Sequence, residues 1–191
     1  WMTLTIAANR QGHPPTLLAS FLHFDVCFLL WVLLGALGIY IAEDLGLSPM
    51  EKGLVVGVPV LSGSLLRLPA GLLSDRLGAK KVGVALLAFL FVPLGMGWLT
   101  GDSLPQLLGV GLLLGVAGAS FAVALPLASR WYPPERQGLV MGIAAAGNSG
   151  TIIANLLAPR LAEVVGWHNV LALAMAPLAL VLAAFLLMAK E

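Results

Sequence analysis

The sequence predicts an all-α integral membrane protein of six transmembrane helices. Of its residues 60% are hydrophobic and only 10% charged, where a soluble domain is about a quarter charged. The apolar residues form continuous runs at roughly 16–42, 54–74, 82–100, 104–129, 138–159 and 169–189, close to the 20 or so residues that cross a bilayer as a helix. They do not alternate with polar residues, and they far exceed the roughly ten residues of a barrel strand, which excludes a β-barrel. The chain thus divides into an N-terminal tail, 1–15, and a six-helix bundle, 16–191, with no room for a soluble domain.

The first span is too long for the apolar region of a signal peptide and lacks a clear cleavage site, so it is expected to be retained. It carries His23 near its start, Asp25, which is the one carboxylate well inside any span, and Cys27 as a small packing residue. The second span holds Arg67, with no acid within seven residues on either side. Trp98 near the end of the third span, with Trp131 and Trp167, falls where indole rings prefer the membrane interface. In the fourth span Gly111, Gly115 and Gly118 recur along one stripe and let a neighbouring helix come close. The fifth places Asn148, Thr151 and Asn155 on one face by their spacing of three and four. An amide facing lipid is costly, so this face is expected to look into the bundle or a water-filled cavity. Interhelical bonding and a functional role both remain open for it. The sixth span follows Trp167 and His168.

Basic residues are retained on the cytoplasmic side of a membrane. With the N-terminus inside, the inner segments hold Arg10, Arg76, Lys80, Lys81, Arg130, Arg136 and Lys190, against Lys52 and Arg160 outside. Both termini are therefore expected to be cytoplasmic, in a multi-pass protein of the inner (plasma) membrane. The net charge of +1 leaves no basic footprint for nucleic acid. A single cysteine and scattered His13, His23 and His168 supply no disulfide framework and no metal-ligand spacing. Nucleophile elbows and phosphate-binding glycine loops are missing as well, so neither an enzyme nor a cofactor is expected. The chain opens on Trp1, which fits a fragment or a processed product.

GLLSDRLG at 71–78 aligns with PRLAEVVG at 159–166, matching Asp75 to Glu163 and Gly78 to Gly166 at an offset of 88. Each segment follows the second helix of a three-helix unit. Three is odd, so the second unit crosses the membrane upside down relative to the first, as in the inverted repeats of many secondary transporters.

GLLSDRLGAKK at 71–81 resembles the signature loop between helices two and three of the major facilitator superfamily. ASRWYPPERQGLVMGI at 128–143 is similar to the inner loop and fifth-helix entry of the nitrate/nitrite porter family within it. AGNSG at 146–150 resembles that family's nitrate signature, and FLHFDVCFLLWVLLGALGIYIAEDLGLS at 21–48 has its first-helix character. The resemblance implies one half of a twelve-helix carrier, two inverted three-helix repeats, whose substrate site is enclosed only with a C-terminal six-helix half or a second chain. The second-half signature and the second half's substrate arginine are absent.

An arginine at bilayer depth costs about 3 kcal/mol on insertion scales and is by default functional. Its guanidinium cannot lose its proton, which suits it to holding an anion rather than carrying protons. Its parallel donors match a planar oxyanion such as nitrate or nitrite. An ion pair with Asp25 is the alternative for Arg67. At a rise of 1.5 Å per residue, Asp25 and Asn148 lie roughly 13 Å, and Arg67 roughly 10 Å, from the inner ends of their spans. The implied protein is a secondary transporter of nitrate/nitrite working by alternating access. Arg67, Asn148, Gly147, Gly150, Thr151 and Asn155 would form the substrate site. Asp25 would couple a proton to the anion, and Gly71, Asp75, Arg76, Gly78, Lys80 and Lys81 would form a gating loop. Two alternatives stay open: a carrier of the same fold for another small anion such as a carboxylate, and a non-transporting assembly partner of another membrane chain.

Overall fold

The structure is a computed structural model that describes residues 12–191; most of the expected tail, with Arg10, lies outside the described residues. Among the described residues it is all-helical, and six helices are long and apolar enough to cross a membrane: α1 (Pro14–Trp31), α2 (Pro49–Leu77), α3 (Ala79–Thr100), α4 (Leu104–Ser129), α5 (Pro134–Val165) and α6 (Trp167–Met188). Two short helices, Leu33–Ala36 and Gly38–Leu45, continue the line of α1.

Local chemistry sets the ends. The His13 ring accepts a hydrogen bond from the Thr16 N–H and caps α1, whose first turn carries Pro14, a residue with no N–H to leave unsatisfied. Gly46, at φ 62°, closes the extension of α1 in the left-handed region. Ser48 and Glu51 form a reciprocal capping box at the start of α2. Helices α2 and α3 are joined by Gly78 alone, and α5 and α6 by Gly166 alone. The expected loop between the second and third helices is thus one residue, because a glycine reverses the chain in a single left-handed step. Helix α5 also begins four residues before the apolar run it contains, since Pro134 can open a helix in a polar segment.

Gly78 has φ 98° and ψ 136°, and Gly166 has φ 81° and ψ 149°. Each donates its N–H to the carbonyl four residues earlier, Ser74 and Ala162 respectively. The backbone therefore repeats the sequence echo at the same offset. Packing repeats it too: α2, second in its unit, lies on α4, the first of the other unit, while α5 lies on α1. Glycines permit both contacts. A Cβ on Gly111 would stand 3.1 Å from the Pro59 ring, and one on Gly115 would overlap the Ser62 hydroxyl. On the other side, a Cβ on Gly147 would reach within 2.7 Å of the Phe21 carbonyl oxygen.

Contacts gather at two ends of the bundle. At the Gly78 end, Thr16 accepts from the Lys190 N–H, Trp131 donates to the Lys190 carbonyl, and Arg130 meets Asp75. At the Gly166 end, Tyr40 donates to Glu163, Trp167 to Asp44 and Trp98 to Asn169. Between them His23 is completely buried. Its Nε2 faces the Gly83 carbonyl at 3.2 Å, which can only accept, so Nε2 carries the proton and Nδ1 accepts from the Ser120 hydroxyl at 2.9 Å. This ring, packed on Phe185, ties α1 to α3, α4 and α6.

Candidate functional site

Arg67 stands on α2 where that helix meets α4 and Trp31 of α1. In α4 the stretch Gly115–Ser120 tightens into a 3₁₀ helix, and its Gly118 carbonyl accepts from Arg67 Nε at 3.0 Å. The guanidinium carbon lies 5.2 Å from the Trp31 ring centroid and 5.4 Å from that of Phe121. Among the described residues neither Nη atom has a protein acceptor and no acid pairs with Arg67. The result is a half-buried guanidinium, steadied by one carbonyl and two aromatic rings, whose charge no described residue neutralises.

Asp25 is occupied elsewhere. Its Oδ1 accepts from the Ser149 hydroxyl of α5 at 2.7 Å, and it borders an apolar groove of about 380 Å³ between α1, α5 and α6, walled by Leu29, Ile153, Leu157 and Pro177. The alternative of an Arg67–Asp25 ion pair is therefore not formed. The reason is angular: residues at one depth on different helices meet only if their faces turn toward each other. Trp31 takes the side of α1 that reaches Arg67, and Asp25 points at α5.

On α5, Asn148 and Asn155 are exposed and Thr151 half-buried. The Thr151 hydroxyl donates to the Asn148 carbonyl and the Asn155 amide to the Thr151 carbonyl, so these donors are satisfied within their own helix. The Asn148 amide has no partner among the described residues. Gly147 and Gly150 face α1: a Cβ on Gly150 would run into the Asp25 carbonyl. Their lack of a side chain lets α5 and α1 touch. The structure thus joins Asp25, Gly147 and Gly150 at one helix contact, with Asn148 on the adjoining open face, and shows no contact between that group and Arg67.

The residues of the expected gating loop separate by role. Asp75 receives Arg130 Nη2 at 3.1 Å, while Arg130 Nη1 lies 3.7 Å from Glu191. The Glu191 carboxylate also accepts the N–H groups of Ala79 and Lys80 at the N-terminus of α3, where the helix dipole favours negative charge. Lys80 Nζ donates to the Leu186 carbonyl. Gly71 lies beside Ala122 of α4, and Arg76 and Lys81 are exposed.

Trp31, Phe121, Ser149, Arg130 and Glu191 were missed as site residues. Arg130 counts among the basic residues that set topology, and Trp31, Phe121 and Ser149 carry no spacing that marks them. Trp31, Arg130 and Ser149 lie inside the family-like stretches quoted above, but it is the contacts between helices that single them out.

The family model described as "Major Facilitator Superfamily" matches residues 19–191. The chain is 39% identical over 143 residues to the "Nitrite extrusion protein" of Bacillus subtilis, an alignment covering 74% of this chain and 36% of that protein. It is 36% identical over 153 residues to the "Probable nitrate/nitrite antiporter NarK1" of Thermus thermophilus, covering 80% and 34%. It is 38% identical over 161 residues to the "Probable nitrate/nitrite transporter NarK2" of Mycobacterium tuberculosis (strain ATCC 25618 / H37Rv), covering 82% and 41%. The chain spans well under half the length of the relatives it matches.

Proposed function

The chain belongs to the major facilitator superfamily, and from that premise we propose that it forms half of a secondary carrier that moves nitrate or nitrite by alternating access. The observation that carries this reading is Arg67, a permanent charge within the apolar helix α2 that has, among the described residues, no acid beside it and no acceptor on either Nη atom. A half-buried cation within an apolar span is offset most readily by an anion, and a planar fork favours a planar oxyanion. The relatives' names supply the substrate. A second six-helix half, or a second chain, would close the open faces of α2 and α5 around the site, with both termini cytoplasmic in the plasma membrane. Asn148, exposed and with no partner for its amide among the described residues, would face the same cavity, where Thr151 and Asn155 would complete its α5 wall, while Gly147 and Gly150 hold that wall against α1.

The test is Arg67→Lys in the complete carrier. Lysine keeps the charge and loses the fork, so the apparent affinity for nitrate should fall by about tenfold or more, the scale of one charge-assisted hydrogen bond, while the amount inserted in the membrane is unchanged. Wild-type affinity in that variant would rule out Arg67 as the anion site.

A further inference from the structure

A guanidinium at the end of a long side chain is not held in one plane by its charge. Around Arg67 the holding is done by Trp31. The indole Nε1 donates at 2.8 Å to the carbonyl of Pro59, so a ring from α1 is tethered to the backbone of α2. The ring fits a slot that only glycine leaves open. A Cβ on Gly63 would stand 2.6 Å from Nε1, and one on Gly118 would stand 2.5 Å from Cε2. Arg67 follows Gly63 by one turn of α2 and lays its guanidinium over the indole, while its Nε is fixed to Gly118. Gly118 therefore serves both as a wall of the slot and as the acceptor.

We propose that Trp31 is the positioning residue of the anion site. Tethered through Pro59 and admitted between Gly63 and Gly118, it sets the plane and reach of Arg67, so that the free Nη–H groups meet a planar oxyanion edge-on. This rests on the reading of Arg67 as the anion site. Because a fork held flat is worth most to a ligand with two in-plane acceptors, Trp31 also contributes to the preference for nitrate over a spherical anion such as chloride.

The test measures nitrate uptake kinetics and inhibition by chloride in the complete carrier. Trp31→Phe keeps an aromatic face and loses the tether to Pro59; Trp31→Leu loses both. The first should raise the KM for nitrate severalfold and the second about tenfold, the scale of a desolvated cation–π contact. The maximal rate per inserted carrier should stay near wild type, and the preference for nitrate over chloride should narrow in the same order. Gly118→Ala, whose new methyl group meets the indole, should reproduce the leucine variant. Should the leucine variant not fold, Trp31→Phe and Gly118→Ala decide the matter. Wild-type KM and selectivity in Trp31→Phe would overturn the proposal. Arg67→Lys, measured alongside, separates the two claims: nitrate affinity that survives there removes the anion site itself, whereas affinity lost there but intact in Trp31→Phe removes only the positioning role.

Discussion

One proton neutralises a carboxylate, whereas a guanidinium keeps its charge throughout. If the carrier accumulates an anion inside a negatively charged cell, each charge must be raised by about 2.3 kcal/mol per 100 mV, and a coupled proton is one way to supply the work. We propose Asp25 as the residue that would take it. The hydrogen bond it accepts from Ser149 would connect proton uptake to α5, one residue from Asn148, so coupling would run through the α1–α5 contact and not through Arg67. Asp25→Asn should abolish nitrate accumulation driven by an imposed proton gradient in vesicles, while exchange of internal for external anion survives. Gradient-driven uptake that persists would remove Asp25 from the mechanism. The carboxylate was legible in the sequence as the lone acid of its kind. Its partner was not, because a serine inside a glycine-rich stretch looks like packing until the helix faces are known.

Two glycines of matching conformation reverse the chain at opposite ends of the bundle, yet they sit in different surroundings. A Cβ on Gly166 would meet nothing within 4 Å, while one on Gly78 would stand 3.0 Å from the Glu191 carboxylate that caps α3. Both positions combine a positive φ with an extended ψ and penalise an L side chain by about 1–3 kcal/mol from backbone conformation alone. Gly78→Ala should therefore lower thermal stability more than Gly166→Ala, since it also disturbs the cap; equal shifts in unfolding temperature would show that the Glu191 contact contributes nothing. The offset of 88 makes this pairing legible in the sequence, because positive-φ glycines are dictated locally. The interruptions of α1 at Val32 and of α4 at Gly115–Ser120 are not legible there, since they answer to neighbouring helices.

As a whole, the molecule is a six-helix unit with its most enclosed helices, α1 and α4, between the more exposed α2 and α5. Aliphatic side chains such as Leu61, Leu65 and Leu68 on α2, and Leu156 and Val164 on α5, are exposed, as expected of surfaces meeting lipid or another half. The Asp75–Arg130 pair is largely exposed, and pairs of that kind contribute about 0–1 kcal/mol. Asp75→Asn should accordingly leave the fold and nitrate affinity near wild type, and should instead shift the balance between inward- and outward-open states. Labelling of single cysteines from each side of the membrane would read that shift; lost binding with unchanged labelling would sink the gating role.

By itself the sequence determined the membrane class, the number of spans, the repeat and the two charges worth watching. Those rest on local or additive properties: hydrophobic length, glycine conformation and the cost of a charge in lipid. Only the tertiary structure decided which side of each helix meets which neighbour, parting Asp25 from Arg67 and giving Arg67 to Trp31, Phe121 and Gly118. Azimuth is set by how six helices close-pack at once, through glycine slots and single hydrogen bonds that no one span contains.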